Sequence, residues 1–224
     1  MQSSSAAALR ARALQLGVTL DEDSAALLLR LLGELEQWNR AYSLTAITTR
    51  EAMIAGHLLD SLAASGDLMG ARIADIGTGA GFPGLPLAIV HRERAFTLID
   101  GTAKKVRFVA HAARTLGLKN VEAVHARAEA MRPEQPFDTI VARAVASLPE
   151  LSGLALPLSG PGTRLLAYKG QRPSETELEA IPPDWQLLGV RTLEVPGLEA
   201  ERCLITLKYS PAAPFPAGAP AGLN

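Results

Sequence analysis

The sequence predicts an α/β protein with a doubly wound, mostly parallel sheet and an N-terminal helical cap. After Gly70, short apolar and β-branched segments alternate with helical ones, which is the pattern of a parallel sheet covered by helices on both faces. A glycine-rich stretch from Gly77 to Gly84 follows the first of these segments. The 224 residues are 48% hydrophobic and 20% charged, a composition typical of globular proteins with an extensive core.

The first seventy residues are predicted to be helical. Between Leu27 and Trp38, apolar residues recur at helical spacing, so one face of this segment is expected to be buried. Thr48 and Glu51 have the spacing of a capping box, which predicts that another helix begins there. We assign the helical cap to residues 1–70. Its predicted helices cover residues 6–16, 21–40 and 48–65.

The α/β body is assigned to residues 71–209. Two late apolar runs, near residues 185–195 and 202–208, are predicted to pair as an antiparallel hairpin. The last fifteen residues, 210–224, include 11 Pro, Ala or Gly and are predicted to form a disordered tail. The predicted strands are 71–77, 95–100, 121–126, 137–142 and 163–168, and the predicted helices of the body are 84–92, 102–116 and 147–157.

Composition excludes several classes of protein. Lys and Arg number 22 against 23 Asp and Glu, so a strongly basic nucleic-acid coat is excluded, although residues 100–172 carry 11 basic and 6 acidic side chains. The single Cys203 excludes a disulfide framework and a Cys-rich zinc site, and the scattered histidines predict no metal site. We find neither a membrane-spanning run nor a secretory signal, which predicts a cytoplasmic protein without a membrane partner.

The glycine-rich stretch is the main candidate for a cofactor site. Glycines between a strand and a helix permit positive φ angles and let the backbone approach a ligand. The dinucleotide fingerprint G-x-G-x-x-G, started at Gly77, requires glycine where Phe82 stands. The spacing Asp-x-Gly-x-Gly-x-Gly, which begins at Asp75, is instead associated with methyltransferases that use S-adenosylmethionine. The alternative is a tight strand-to-helix turn of the kind any α/β enzyme contains.

Three strand ends add further candidates. Asp100 lies 23 residues after Gly77, at the distance where a carboxylate accepts hydrogen bonds from ribose hydroxyls; the alternative is a helix N-cap. At Ala126–Glu129, a main-chain amide beside a small residue can meet the adenine edge. Arg143, after the fourth strand, can hold a carboxylate by two hydrogen bonds, or form an ordinary surface ion pair.

Two motifs of other methyltransferases are missing. No Asn/Asp-Pro-Pro-Tyr/Phe sequence follows the fourth strand, and no Pro-Cys pair is available to attack a pyrimidine; Cys203 lies in an apolar strand. An acceptor that is already nucleophilic needs neither motif, and guanine N7 is such an acceptor. We therefore predict no general base and name no catalytic residue.

The sequence resembles the small-subunit ribosomal RNA guanine-N7 methyltransferases, once called glucose-inhibited division protein B, from about Trp38 to Lys208. This resemblance implies methyl transfer from S-adenosylmethionine to N7 of a guanine in 16S rRNA, free or within the small ribosomal subunit. It also implies cofactor contacts at Gly77, Phe82, Ala128, Glu129 and Arg143. The matching segments are Ser43–Ile47, His57–Leu62, Gly77–Pro86, Lys104–Phe108, Ala142–Leu148 and Tyr168–Gly170.

The local basic excess predicts an RNA-binding face. Lys104 and Lys105 lie on one predicted helix, and Lys169 and Arg172 follow the fifth strand; the alternative is an ordinary solvated face.

Competing functions are methylation of a small molecule or a protein, a non-catalytic RNA-binding module, and a nicotinamide-dependent oxidoreductase, which Phe82 disfavours. The oligomeric state we expect is a monomer.

Overall fold

A seven-stranded sheet forms the centre of the protein. The computed structural model describes residues 2–211, with side chains described from residue 6. The strands run in the order β3-β2-β1-β4-β5-β7-β6; β1 to β5 pair in parallel, and β7 is antiparallel to β5 and β6. The predicted fold class is confirmed. The strands are β1 (Arg72–Ile76), β2 (Ala95–Asp100), β3 (Val121–His125), β4 (Phe137–Arg143), β5 (Ser159–Lys169), β6 (Trp185–Thr192) and β7 (Cys203–Tyr209).

The strand order changes direction between β1 and β4. Ile76 at the end of β1 pairs with Ile99 of β2 on one side and with Ala142 of β4 on the other. The carboxyl ends of these three strands therefore lie side by side at one edge of the sheet. In open α/β sheets this edge, at the point where the strand order reverses, is where ligands bind.

Helices cover both faces of the sheet. Trp38 of the cap packs against Phe108 of the body, with ring centroids 5.6 Å apart, so the N-terminal helices and the body share one core. Among the described residues, no helix has the length and apolar character needed to cross a membrane. The helices are α1 (Gln2–Gln15), α2 (Glu22–Tyr42), α3 (Arg50–Met53), α4 (Asp60–Leu62), α5 (Gly84–Val90), α6 (Ala103–Thr115), α7 (Leu148–Ala155) and α8 (Glu175–Glu179).

The third helix of the cap differs from its prediction. Its N-cap is Thr49 rather than Thr48, and no side chain caps it. The capping box does not form because the Glu51 carboxylate accepts a hydrogen bond from Arg12 of α1, 2.5 Å away. A π-helical segment, Ile54–Leu59, then joins α3 to α4. Such segments occur frequently at functional sites.

Apart from α8, for which no helix was predicted, the remaining elements lie close to their predicted positions. The hairpin of β6 and β7 forms as expected, and β7 buries Cys203. The fifth strand begins at Ser159, four residues before the predicted start, where Gly162 takes a φ of 95° that few other residues adopt. Of the predicted disordered tail, residues 212–224 lie outside the described residues.

Candidate functional site

The glycine loop after β1 has a backbone that only small residues allow. Gly77, Gly79 and Gly81 have φ angles of 64°, 61° and 85°, a region that side chains disfavour. A Cβ at Gly77 would lie 2.8 Å from Val145 Cγ2. The glycine spacing read from the sequence is therefore required by the loop conformation and by the close approach of the segment that follows β4.

Asp75, near the end of β1, anchors this loop through hydrogen bonds. Its side chain is completely buried, and Oδ2 accepts hydrogen bonds from the Thr78 hydroxyl at 2.7 Å and the Gly84 N–H at 2.8 Å. Burial raises the pKa of Asp75 to about 7, although the bonds from Thr78 and Gly84 oppose the increase. Because a Cβ at Gly84 would lie 2.6 Å from Oδ2, the start of α5 can approach the carboxylate only as glycine.

Asp100 links the loop to the next strand. Its Oδ2 accepts a hydrogen bond from the Gly79 N–H at 3.0 Å, and its Oδ1 accepts one from the Thr102 N–H at 2.8 Å. Thr102 is itself the N-cap of α6, so Asp100 supports the helix start without being its cap. A carboxylate has about four acceptor sites, so two remain for ligand hydroxyls.

A hollow of about 280 Å³ opens above these residues, and we call it the Asp100 hollow. It brings together four of the six predicted cofactor residues, which the sequence separates by more than fifty positions. Lys105, predicted to contact RNA, also lines it, and its Nζ lies 3.8 Å from Asp100 Oδ2. The lining includes Gly77, Asp100, Lys105, Ala128, Glu129 and Val145.

The other two predicted cofactor residues, Phe82 and Arg143, lie beside a second hollow. The Phe82 ring is buried and stacks on the His57 ring, with centroids 4.6 Å apart; the Arg143 guanidinium lies 5.8 Å from the centroid of the Phe82 ring. Arg143 lines a hollow of about 360 Å³, which we call the Arg143 hollow. Its lining includes His57, Asp60, Arg143, Lys169 and Arg202.

The segment after β4 separates the two hollows. Ala144 and Ala146 line the Arg143 hollow, whereas Val145 between them lines the Asp100 hollow. Ala144 has a φ of 55°, which is uncommon for a residue with a Cβ and is found preferentially at functional sites. The two hollows therefore adjoin opposite sides of this short segment.

The four predicted RNA-binding residues do not form one surface. Lys104 donates to the Tyr42 carbonyl at 3.2 Å, whereas Lys105 lines the Asp100 hollow. Lys169 Nζ donates to the Ala146 carbonyl at 2.9 Å and to Glu177 Oε1 at 3.0 Å. Arg172 is exposed. Of the four, Lys169 alone lines the Arg143 hollow.

Sequence reasoning did not single out His57, Asp60 or Arg202 as site residues. Burial, assisted by the positive charge of Arg143, lowers the pKa of His57 to about 4, although the Gly56 backbone opposes the decrease. His57 is therefore neutral at pH 7. His57 and Asp60 lie in a helical segment, and Arg202 lies just before β7. The only sequence signal for His57 and Asp60 was that they fall in the segment His57–Leu62, which matches the family. Among residues 2–211, no group of three His, Cys, Asp or Glu could hold a metal ion.

Comparisons with known proteins agree with one another. A family model described as rRNA small subunit methyltransferase G matches residues 24–205. A protein of Serratia proteamaculans called ribosomal RNA small subunit methyltransferase G is 44% identical over 194 residues, which are 86% of this chain and 93% of the relative. One of the same name from Methylococcus capsulatus is 48% identical over 87% of this chain and 94% of its own length.

Solved structures show the same fold at low sequence identity. A SAM-dependent methyltransferase from Aquifex aeolicus is 19% identical with a TM-score of 0.52, covering 75% of this chain and 97% of that one. TrmN from Thermus thermophilus is 22% identical with a TM-score of 0.52, covering 78% of this chain and 52% of that one. At these identities the likeness concerns the fold alone.

The raised pKa of Asp75 predicts how stability depends on pH. Between about pH 4 and pH 7 the folded state holds a proton at Asp75 that the unfolded state releases, so this residue lowers stability as the pH rises. Asp75→Asn removes the titration. Its free energy of unfolding relative to wild type should therefore increase from pH 4 to pH 7, by up to about 1.4 kcal/mol per pH unit, as measured by urea unfolding of the cofactor-free protein.

The comparison between variant and wild type is needed because His57 acts in the opposite direction. Because its pKa is lowered, the unfolded state holds a proton at His57 between about pH 4 and pH 6.5 that the folded state has released, so stability increases as the pH rises through this range. This contribution is common to both proteins. Above about pH 8 the difference between the two proteins should stay constant, because Asp75 is then ionised in both the folded and the unfolded state. A difference that does not change between pH 4 and pH 7 would contradict the assigned shift of Asp75.

Proposed function

The chain belongs to the rRNA small subunit methyltransferase G family, and from this premise we propose that it transfers a methyl group from S-adenosylmethionine to N7 of a guanine in 16S rRNA. One observation carries the proposal. The Asp100 hollow and the Arg143 hollow both adjoin Ala144–Ala146, so a cofactor in the first and a nucleotide in the second would be neighbours beside this segment.

The residues of the Asp100 hollow fit S-adenosylmethionine. The remaining acceptor sites of Asp100 suit the two ribose hydroxyls, and the backbone at Ala128 and Glu129 suits the adenine edge. The open space at Gly79, where a Cβ would meet nothing closer than 3.9 Å, lets the cofactor approach the loop backbone. Arg143, the sixth residue predicted to contact the cofactor, lines the Arg143 hollow and not the Asp100 hollow, so a contact with the nucleotide competes with that prediction.

The reaction requires orientation more than proton transfer. Bound S-adenosylmethionine supplies a methyl group on a positively charged sulfur. Guanine N7 carries a lone pair and no proton, so no residue needs to act as a general base. Placing the two reactants in line can by itself contribute several kcal/mol, up to about 7–11 in favourable cases. The segment Ala144–Ala146 adjoins both hollows and so lies next to both reactants.

The Arg143 hollow favours a nucleic acid over the alternative acceptors. Three cations, Arg143, Lys169 and Arg202, line it together with a single acidic residue, Asp60. A positive hollow next to the cofactor suits a polyanion.

The pKa of Glu177 is lowered because hydrogen bonds from the Leu148 N–H and Lys169 outweigh the opposing effect of burial. Glu177 is thus a carboxylate at neutral pH that neutralises part of the charge of Lys169.

Methyl transfer from labelled S-adenosylmethionine tests the function directly. Naked 16S rRNA, small ribosomal subunits and total cell protein are offered in parallel, each from cells that lack the enzyme. We expect label in 16S rRNA, free or assembled, at a position that becomes sensitive to aniline cleavage after reduction, as N7-methylguanosine does. Label confined to protein or to small molecules, or RNA label without cleavage, would refute the proposal.

Asp100→Ala should weaken cofactor binding. Hydrogen bonds to a charged group contribute about 1.5–3 kcal/mol each, so losing even one should raise the dissociation constant for S-adenosylmethionine by about tenfold or more, measured by calorimetry. Asp138→Ala is a matched control because Asp138 also accepts two backbone N–H bonds, from Ala71 and Arg72, and lies away from both hollows. Equal affinities in the two variants would argue against the assignment.

Reversing Lys169 and Arg172 to Glu should weaken RNA binding. A cation bound to phosphate releases counterions from the RNA, so the slope of log affinity against log salt should become less steep by up to about 0.9 for each phosphate that is no longer neutralised. Affinity for S-adenosylmethionine should stay within about twofold because neither residue lines the Asp100 hollow.

The double reversal of Arg92 and Lys119 is the matched control for the RNA experiment. It makes the same change in charge, and both residues line a hollow away from the two described here. An unchanged salt slope for Lys169→Glu with Arg172→Glu, or the same change in both double variants, would favour the ordinary solvated face.

A further inference from the structure

Asp60 is a buried acid that faces two arginines. Its side chain is 1% exposed, and Oδ2 accepts a hydrogen bond from Arg143 Nη1 at 2.8 Å. Arg202 Nε lies 3.3 Å from Oδ1, yet Oδ1 accepts no hydrogen bond among the described residues. Burying a carboxylate is costly unless charged partners compensate it. Here two guanidinium groups provide that compensation, one closely and one loosely.

Both guanidinium groups keep donors that the protein does not use. Within residues 2–211, Arg143 donates only through Nη1, to Asp60 and to the Gly56 carbonyl. Arg202 donates through Nη1 to the Glu201 carbonyl. A guanidinium carries five N–H donors in a rigid fork, and both side chains remain partly exposed, at 17% and 25%. Both arginines line the Arg143 hollow.

Asp60 joins three separate parts of the chain. It belongs to α4 of the cap, Arg143 ends β4, and Arg202 precedes β7. The helix that carries Asp60 is held in place, because the Tyr168 hydroxyl donates to the Ser61 carbonyl at 2.7 Å. Arginine side chains have many rotamers, and a fixed carboxylate restricts them before a ligand arrives.

We propose that Asp60 is a positioning residue that holds Arg143 and Arg202 so that their free N–H donors bind a phosphate group of the nucleotide that is methylated. The inference rests on the proposed function and extends it to residues that the basic excess of the sequence did not identify. Paired guanidinium groups suit phosphate because their fork matches two of its oxygens. A phosphate held at this point places its base next to Ala144–Ala146 and the cofactor.

A carboxylate could be recognised by the same arginines, and S-adenosylmethionine carries one. The experiment therefore measures both ligands. Affinity of Asp60→Asn for S-adenosylmethionine is measured by calorimetry. Methyl transfer is measured on small subunits assembled with 16S rRNA in which one phosphate, on the 5′ or the 3′ side of the methylated guanine, is replaced by a neutral methylphosphonate.

A double-mutant cycle separates positioning from a general structural role. In the wild type, one of the two methylphosphonates should lower kcat/KM by about tenfold or more. Asp60→Asn should lower kcat/KM on the native phosphate by about tenfold and then lose less than about threefold more on the methylphosphonate. Its cofactor affinity should stay within about twofold of wild type. Arg202→Ala, which leaves the pair of Arg143 and Asp60 intact, should show the same loss of sensitivity.

Asp67→Asn is the matched control. It breaks another contact between an acid of the cap and an arginine of the C-terminal hairpin, Arg191 Nη2 to Asp67 Oδ2 at 2.5 Å, outside the Arg143 hollow. This variant should keep the full sensitivity to the methylphosphonate.

Three results would overturn the inference. Methylphosphonate losses as large in Asp60→Asn and Arg202→Ala as in the wild type would leave Asp60 a merely structural acid. An S-adenosylmethionine affinity at least about tenfold weaker in Asp60→Asn would assign the anion to the cofactor. Absence of transfer by the wild type to native subunits would refute the proposed function itself, and this inference with it.

Discussion

The buried carboxylate of Asp75 is the interaction on which the site depends. It ties Thr78 and Gly84, the two sides of the glycine loop, to the end of β1. The loop then presents the Gly79 N–H to Asp100, so the end of β2 is tied to the same turn. Without this anchor, the start of α5 would lose its bond to the end of β1, and the Gly79 N–H that Asp100 accepts from would lie on a loop that is less well fixed. The buried Asp75 side chain, which is costly to ionise, thus holds in place the glycine loop that lines the Asp100 hollow.

The helical cap takes part in the site as well as in the core. The π-helical segment Ile54–Leu59 and the turn after it bring His57 and Asp60 to the hollow formed at the end of β4. The neutral His57 ring packs on Phe82, and Asp60 pairs with Arg143. A boundary at residue 70 therefore describes the secondary structure, while the site itself draws on both sides of that boundary.

Charge in this protein is distributed differently in space than along the chain. The middle third is basic, but its lysines separate: Lys104 reaches the end of α2, Lys105 the Asp100 hollow and Lys169 the Arg143 hollow. The cation that completes the second hollow, Arg202, comes from the acidic last part of the sequence. Local net charge therefore pointed to an anionic ligand, while the surface proposed to bind it is assembled from distant segments.

The sequence by itself determined the strand and helix order and the glycine loop, because these follow from local rules. Alternation of apolar segments sets the elements, and positive φ angles demand glycine at Gly77 and Gly79 wherever the loop is placed. Tertiary structure decided what local rules cannot reach. Glu51 has no capping role because Arg12, 39 positions earlier, binds its carboxylate. The Phe82 ring stacks on His57 and does not line the Asp100 hollow. Asp60 lies against Arg143 and Arg202. Each of these outcomes is a contact between residues far apart in the chain, whose energy exists only once the sheet and the cap have packed together.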